Sequence, residues 1–419
     1  MMNLTFPFIS GFSLLTMMSL VAQEPFEISV RPLTSGPQSH FFGYIGHVGN
    51  IPWNGNGRYL VALRTTLLDH LPGVNDPADV ILIDTKDNDK IRVLDQCLAW
   101  NPQQGTMLYW NPEEQTTQFF FNDRDQKTGK VFTVLYDIKE GKRIREYRND
   151  KTPVGNSGVA QRGGYFFGIN YARMARLRKV TGYKGTTDWT TSVAHPADDG
   201  VFGIDVKSGN QKLLVSFEKL ASILKDTGNY ESIPHIFINH TLANRHNDRV
   251  FFFARGGWDG NQGPKVNQPF VMRPDSSDRR ALKDHIGGHP EWDHGHRMIG
   301  HIDGKQVLYD VDRQRVVGQM GSPEIFPDSE GDVAISPDGN WFVNGYKNED
   351  RSKIHHVIFR RSDGAHVRTK GFNIQGWGSG DLRQDPSPCW NRTNTQILVP
   401  AIAEDGKSRQ LFVLTIKEN

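Results

Sequence analysis

The chain has 419 residues, and its 49 basic and 47 acidic side chains leave a formal net charge of +2. A balance this even argues against a nucleic-acid-binding surface, which would show a clustered excess of Lys and Arg. The length would allow two or three domains, but no Pro/Ser-rich linker or charge run divides the chain. The 42 Gly and 24 Phe suit an apolar β-rich body with many tight turns.

The first residues have the pattern of an export signal. Residues 4–22 are apolar, with small residues near Ala22 and a polar break at Gln23. This predicts a signal peptide over 1–22, a mature chain of 23–419 and a periplasmic or extracellular location. The segment before the apolar run lacks Lys and Arg, so a retained membrane anchor is the alternative. Nothing after residue 25 is apolar enough to span a bilayer, and we expect no stable membrane insertion after cleavage.

A short pattern returns seven times: a start position, a polar turn, and then an apolar run. The starts are Trp53, Trp110, Val159, Ala243, Trp292, Ile335 and Trp390. A second repeat follows each start, in which an apolar strand closes on a turn of Asp, Gly, Ser or Asn residues. Repeats spaced by about 40–50 residues and holding several short strands are typical of radial blades. The sequence therefore predicts an all-β, seven-bladed β-propeller with a central channel.

One gap in the repeat is longer than the others, and it predicts an insertion. The spacing from Val159 to Ala243 is 84 residues, so we place an insertion over 170–199 between the third and fourth blades, lying over one face. Its basic and aromatic side chains are candidates for binding an acidic sugar, because guanidinium groups match carboxylates and rings stack on sugar faces. The candidate substrate-binding residues are Arg173, Arg176, Arg178 and Trp189. The structural alternative is a short amphipathic helix with Met174 and Leu177 packed inward.

The two cysteines, Cys97 and Cys389, decide little. They could form a disulfide in an oxidising compartment. Each lies beside a strand start, however, so each could equally be a small buried residue.

Comparing equivalent positions of the blades points to a possible site. The first strand of each blade lines the channel, and three residues before each start stand His240, His289 and Asp332 in the fourth, fifth and sixth blades. Glu330 would lie on the same side as Asp332 if that stretch is extended. Imidazole and carboxylate groups on neighbouring strands could bind a divalent metal or transfer protons. With 15 His in the chain, a chance placement or a structural hydrogen bond is the alternative.

Three segments resemble a known family. GHPEW at 288–292, NHTLANRHNDRVFF at 239–252 and ISPDGNW at 335–341 resemble the propeller of the oligogalacturonate lyases and, more loosely, TolB-like propellers and propeller-type ulvan lyases. The resemblance implies that His240 is the catalytic base and that His289, Asp332 and Glu330 bind a divalent metal, Mn²⁺ or Ca²⁺. Two histidines of the family pattern are acidic here, and its glutamine has no clear equivalent.

The chemistry of such a lyase is β-elimination on a uronate. A base removes the proton next to the carboxylate, whose developing charge a metal or an Arg such as Arg176 must neutralise. Tyr171 or Tyr183 of the insertion could protonate the leaving oxygen. The sequence thus predicts an exported lyase for acidic oligosaccharides. Two alternatives are a non-catalytic propeller that binds a glycan or protein partner, and a glycoside hydrolase, for which no carboxylate pair is favoured.

Overall fold

The computed structural model describes residues 25–43, 50–67, 69–259 and 263–418. Seven separate antiparallel sheets follow one another along the chain, each with its strands side by side in sequence order apart from the one that joins the two ends. The predicted seven-bladed all-β propeller is confirmed. The predicted signal peptide over 1–22 lies outside the described residues.

The first four blades are regular four-stranded sheets. The first blade consists of β2 (Ser39–Phe41), β3 (Tyr59–Thr65), β4 (Ala78–Asp84) and β5 (Lys90–Cys97). The second consists of β6 (Tyr109–Trp110), β7 (Gln118–Arg124), β8 (Val131–Asp137) and β9 (Lys142–Tyr147). The third consists of β10 (Gly155–Val159), β11 (Tyr165–Ile169), β12 (Gly200–Asp205) and β13 (Gln211–Ser216). The fourth consists of β14 (Ile236–Ala243), β15 (Val250–Gly256), β16 (Val266–Met272) and β17 (Arg280–Ala281).

The last three blades complete the ring. The fifth consists of β18 (Gly287–Trp292), β19 (Arg297–Ile302), β20 (Lys305–Asp310) and β21 (Arg315–Gln319). The sixth consists of β22 (Asp332–Ile335), β23 (Trp341–Lys347), β24 (Lys353–Arg360), β25 (His366–Arg368) and the short β26 (Phe372–Asn373), which also pairs with β24. The seventh consists of β27 (Cys389–Trp390), β28 (Gln396–Ile402), β29 (Arg409–Glu418) and, from the other end of the chain, β1 (Phe26–Pro32).

The two ends of the chain meet in the seventh blade. Strand β1 pairs antiparallel with β29, in a register that runs from Phe26 opposite Glu418 to Pro32 opposite Phe412. The outermost strand of the last blade is therefore supplied by the start of the chain. This hydrogen-bonded join closes the ring without leaving the inner strands of the blade exposed as an edge.

Burial falls from the channel outward, as the sequence patterns require. Every residue of β14, an innermost strand, is buried, whereas the outer strand β9 alternates exposed and partly buried residues up to Tyr147. Apolar side chains from neighbouring blades pack into shared clusters, and the largest runs across the second, third and fourth blades. Strands buried on both faces read as continuous apolar runs, and half-buried strands alternate. The sheets thus present their first strands to the channel on a rigid base.

The insertion lies elsewhere than the sequence predicted. Residues 170–199 connect β11 to β12 within the third blade, not the third blade to the fourth. The unusually long spacing has a second source, because the helix α2 (Phe217–Asp226) follows β13 and fills the connection to β14. Counting starts alone could not separate these two segments, since both fall between the same pair of start positions.

The insertion begins with a short helix, α1 (Tyr171–Leu177). The side chain of Asn170 accepts a hydrogen bond from the Arg173 backbone N–H and caps the helix, as expected for a residue at this position. Met174 and Leu177 pack inward, as the structural alternative predicted, but Arg173 is buried as well and no residue of the helix is exposed, so the helix is not amphipathic. The insertion then contacts the loop that precedes β27, where Lys179 Nζ lies 2.9 Å from Asp381 Oδ2. It therefore reaches across the mouth of the channel.

Two further expectations concern the whole chain. No helix in the described ranges is long and apolar enough to cross a membrane. Cys97 and Cys389 are both free and buried, so the structure matches the reading of each as a small buried residue.

Candidate functional site

A small pocket of about 50 Å³ opens at the mouth of the channel. It lies at the end of the propeller where the first strands begin and the second strands end, beneath the insertion. Its lining is polar and is drawn from the connection before β6, the insertion, the fourth, fifth and sixth blades, and the loop before β27. The lining residues are Gln103, Gln104, Arg178, Thr181, Asn239, His240, Arg255, His289, Asp332, Arg383, Asp385 and Ser387.

His240 is placed in the pocket by a bulge in β14. The β14–β15 pairing runs from Asn239 opposite Phe253 directly to Leu242 opposite Phe251, so two residues of β14 stand opposite the single residue Phe252. His240 adopts a left-handed backbone conformation with φ of 60°, uncommon for a residue other than glycine. Such conformations persist where the surrounding structure enforces them, often at functional sites.

The equivalent positions of other blades are also irregular. Met107 and Ser387, which stand at the same step before their own starts, have φ of 57° and 43°. In the fifth blade the pairing of β18 with β19 breaks between Gly287 and Glu291, next to His289. Bulged or left-handed backbone thus recurs at or next to this step in the second, fourth, fifth and seventh blades, whereas Asp332 of the sixth blade pairs regularly with Gly345.

The three predicted residues of neighbouring blades come together. The imidazole rings of His240 and His289 lie 5.4 Å apart, centroid to centroid, at nearly a right angle. Nδ1 of His289 lies 2.7 Å from Oδ1 of Asp332. The other oxygen of Asp332 accepts a 2.8 Å hydrogen bond from the Ser387 N–H. A buried carboxylate thus fixes the ring of His289, and the ring lines the pocket beside His240.

Asp332 remains ionised in spite of its burial. Burial is the largest influence on this carboxyl and would raise its pKa, because it penalises the charged form. Attraction to His289, the hydrogen bond with that ring and the Ser387 N–H together hold the pKa below its usual value. A carboxylate in this state can orient an imidazole and stabilise its protonated form, as in the Asp–His pairs of hydrolases.

The residues predicted to bind a metal do not form a metal site. Glu330 is turned away from Asp332: its side chain is 66% exposed and lies 3.6 Å from Nε2 of His301. Both oxygens of Asp332 are already engaged, one 2.7 Å from Nδ1 of His289 and the other by the Ser387 N–H. Across the described ranges, no group of three or more His, Cys, Asp or Glu side chains is arranged to hold a metal ion. The donor set therefore does not fit Mn²⁺ or Ca²⁺, which take several oxygen or nitrogen ligands at once.

A cluster of guanidinium groups forms one wall of the pocket. Arg178 and Arg255 both pack against Trp258, with guanidinium carbons 4.4 and 5.5 Å from the ring centroid. Arg255 also stacks on Phe253 at 4.4 Å, and its Nε donates to the side chain of Asn267. Burial, and then the like charge of Arg178, lowers the pKa of Arg255 to about 9. The group is still a cation at neutral pH.

Two tyrosines predicted to act as proton donors are buried instead. Tyr171 and Tyr183 stack on each other with centroids 4.2 Å apart, and each is at most 1% exposed. The Tyr171 hydroxyl donates to the Asn156 carbonyl, and the Tyr183 hydroxyl accepts from the Asn122 amide. Burial raises the pKa of both phenols. The catalytic assignment of these residues is wrong, because they belong to the core under the insertion.

Arg173, a predicted substrate-binding residue of the insertion, lies in the core. Arg173 is fully buried, and it donates hydrogen bonds to the Ile236, Val193 and Ala194 carbonyls and to the Thr190 hydroxyl. Its predicted role in substrate binding is wrong, because it ties the insertion to β14.

Arg176 and Trp189 also lie apart from the pocket lining. Nε of Arg176 is 2.9 Å from Oδ2 of Asp188, so its charge is already paired. Trp189 is partly buried and packs against the core cluster of the second, third and fourth blades. Of the four predicted substrate-binding residues, Arg178 alone lines the pocket.

A wider groove continues from the pocket over the sixth and seventh blades. It encloses about 420 Å³ and shares His289, Asp332, Arg383 and Asp385 with the pocket. Its other lining residues are Asp328, Glu330, Gly331, Gly345, Tyr346, Lys347, Asn348, Glu349, Arg351 and Pro386. A polar groove that opens onto the pair of histidines could accommodate an extended polar ligand.

Sequence comparison missed several residues of the site. Arg255 ends the apolar run VFFFA of β15, and a charged residue closing a buried strand was a signal that the comparison of first strands alone did not use. Arg383 and Asp385 lie in the loop before β27, whose residues carry no repeat pattern. Asn239 precedes His240, and its side-chain oxygen accepts a hydrogen bond from Gln104.

Comparison with known proteins agrees with the fold. No family model and no curated protein sequence matches the chain. Among solved structures it is similar to an oligogalacturonate lyase in complex with manganese, with a TM-score of 0.62 and 13% identity over 94% of this chain and 96% of that one. It is also similar to an oligogalacturonate lyase from Vibrio parahaemolyticus, with a TM-score of 0.57 and 10% identity over 93% of this chain and 96% of that one. At these identities the likeness establishes the architecture: in fold, the chain is an oligogalacturonate lyase-like seven-bladed β-propeller.

Proposed function

We propose that the protein is an exported polysaccharide lyase that cleaves acidic, uronate-containing oligosaccharides by β-elimination. The observation that carries the proposal is the pair of imidazoles in the pocket, His240 and His289, with Asp332 held behind the second ring. Removing a proton beside a carboxylate needs a base and a group that stabilises negative charge, and the pocket holds two imidazoles next to cationic groups. The similar solved structures are lyases of oligogalacturonate, an acidic oligosaccharide.

In this mechanism His240 accepts the proton from the carbon next to the carboxylate. A neutral imidazole is a suitable base near pH 7. The bond between the neighbouring carbon and the linking oxygen breaks, a double bond forms, and the departing oxygen takes a proton. With Tyr171 and Tyr183 buried in the core, the Asp332-oriented ring of His289 is the group placed to give that proton.

The C–H group next to the carboxylate is only weakly acidic, so the negative charge that develops on the carboxylate as the proton leaves must be stabilised. The wall formed by Arg178 and Arg255 supplies positive charge in a partly desolvated place. The groove over the sixth and seventh blades would take the neighbouring sugar of the chain, because it opens from the pocket at His289.

A second function is favoured by a different observation. His240 is only 7% exposed, and the pocket is small. A buried histidine at a narrow mouth also suits a non-catalytic propeller that binds a glycan or protein partner across its face.

The experiment that separates the two functions is a test for the unsaturated product. Purified protein is mixed with oligogalacturonate, ulvan, alginate and glucuronan fragments, and the short-wavelength ultraviolet absorbance of the new double bond, conjugated to the carboxylate, is followed. A rise with one substrate establishes the lyase and identifies its sugar. No rise with any of them, from protein shown to be folded, favours the binding propeller.

A further inference from the structure

The predicted metal site and the observed donor set disagree, and the disagreement has a chemical consequence. A metal at this position would need His289, Asp332 and Glu330 to converge. Asp332 instead uses its oxygens for His289 and the Ser387 N–H, and Glu330 lies near His301. A manganese-bound lyase of this fold exists, so the positive charge that such an ion would supply needs another source in this chain.

Arg178 and Arg255 have the features of that source. No acidic side chain of the described residues forms an ion pair with either guanidinium. The neighbouring acidic groups are already engaged, since Asp385 pairs with Lys347 and Arg383, and Asp381 with Lys179. Like charges held together in a buried place repel each other, and a bound anion relieves that repulsion.

The surroundings of the pair hold it in position without neutralising it. Trp258 lies against both guanidinium groups and also against Lys265, whose Nζ is 4.4 Å from the ring centroid. Aromatic faces attract cations and keep their charge intact. Nε of Arg255 donates to the Asn267 side chain, a bond that does not use the two terminal nitrogens of the guanidinium, and Arg255 lines the pocket.

We propose that Arg178 and Arg255 bind the substrate carboxylate in place of a divalent metal, so that uronate recognition by this protein is metal-independent. Guanidinium groups match a carboxylate in two-point geometry, which also sets the orientation of the sugar. This inference rests on the proposed function for the identity of the sugar, but the binding step can be tested without turnover.

The test uses the full-length protein with the substitution His240→Asn, which removes the proposed base. Binding of a galacturonate trimer is measured calorimetrically after dialysis against EDTA, and again with added Mn²⁺. We expect the same affinity in both conditions. Arg178→Ala and, separately, Arg255→Lys should each weaken binding about tenfold or more, the effect of losing one charge-assisted contact. Arg255→Lys keeps a cation beside Trp258, so it guards against a folding defect.

Arg315→Ala is the matched control, because Arg315 is exposed on the outer strand β21; it should bind like the parent. The inference is overturned if EDTA abolishes binding and Mn²⁺ restores it, if both arginine variants bind normally, or if folded protein binds no acidic trimer of the uronate panel. If binding in EDTA depends on the two arginines but the wild-type protein forms no product, the inference stands and the proposed lyase activity is rejected.

Discussion

The imidazole of His289 and the carboxylate of Asp332 meet across two blades, with Nδ1 and Oδ1 2.7 Å apart. One residue lies on the first strand of the fifth blade and the other on the first strand of the sixth. Their alignment therefore depends on how the two blades pack, not on either strand alone. A short charge-assisted contact of this kind fixes both the tautomer and the orientation of the ring.

Replacing Asp332 with Asn should lower the rate of elimination about 10- to 100-fold, as loss of an orienting partner typically does. The effect should appear in kcat more than in KM, and the pH profile should change, because the amide cannot stabilise a protonated His289. Steady-state kinetics across pH measure both. Glu330→Gln is the matched control, since that carboxyl is largely exposed. Equal losses in the two variants would contradict the assigned roles.

Replacing His240 with Asn should strongly reduce the rate of elimination while leaving stability nearly unchanged. Asn tolerates the left-handed backbone that His240 adopts, so the bulge in β14 should be retained. Loss of a general base costs about 10²–10⁴-fold in rate. Product absorbance gives the activity, and thermal unfolding gives the stability. Wild-type turnover by the variant would remove His240 from the mechanism.

Arg173 and Arg176 should behave differently although they share one helix. Arg173→Met leaves several buried carbonyls without a donor, so we expect a loss of about 3 kcal/mol in the free energy of unfolding. Arg176→Ala should cost less than Arg173→Met, about 1–2 kcal/mol, because the largely buried Asp188 loses its cation but keeps hydrogen bonds from Thr190. It should also leave KM unaltered. Denaturant titration and kinetics decide, and a raised KM for Arg176→Ala would restore its predicted role in binding.

Acid should destabilise the protein through His356. This ring is fully buried, and its Nε2 lies 3.2 Å from the Pro386 carbonyl. Burial lowers its pKa from 6.5 to about 4, against smaller raising effects of that carbonyl and of Asp332. Below pH 6.5 the unfolded chain takes up a proton that the folded chain refuses until about pH 4. The free energy of unfolding should therefore fall by about 3 kcal/mol across this window.

The control for this prediction is His356→Gln, which has no ionisable ring. Other groups titrate in the same window, so the informative quantity is the stability difference between the two proteins at each pH. The wild-type protein should lose stability relative to His356→Gln as the pH falls from 6.5 to 4. Parallel stability curves would show that His356 is not the source.

The sequence predicted the architecture because its evidence was repeated in seven units, each with a start, a turn and apolar strands. It also brought His240, His289 and Asp332 to one mouth, since equivalent positions of neighbouring blades are adjacent in space. The prediction that Glu330 lies beside Asp332 was wrong because residues two positions apart share a side only where the backbone is extended. That residue lies in the turn before β22, where the Gly331 N–H donates to the Asp328 carbonyl.

The insertion was harder to interpret because its chemistry depended on which way a short helix faces. Helical spacing places Tyr171 and Met174 on one side, and the structure buries that side together with Arg173. Composition cannot distinguish an arginine that donates hydrogen bonds to backbone carbonyls from an arginine that binds an anionic ligand. Arg255 was missed for the converse reason, since its neighbours along the chain suggest only a buried strand.

The join between β1 and β29 also fixes when the protein can finish folding. Phe26 finds its partner in Glu418, so the seventh blade stays incomplete until almost the whole chain is available. Contacts between such distant positions are slow to form. A chain that ended before Arg409 would lack β29, which would leave β1 without a partner strand and expose the outer edge of β28 to pairing with other chains. The closed ring therefore depends on the last strand of the chain as much as on the first.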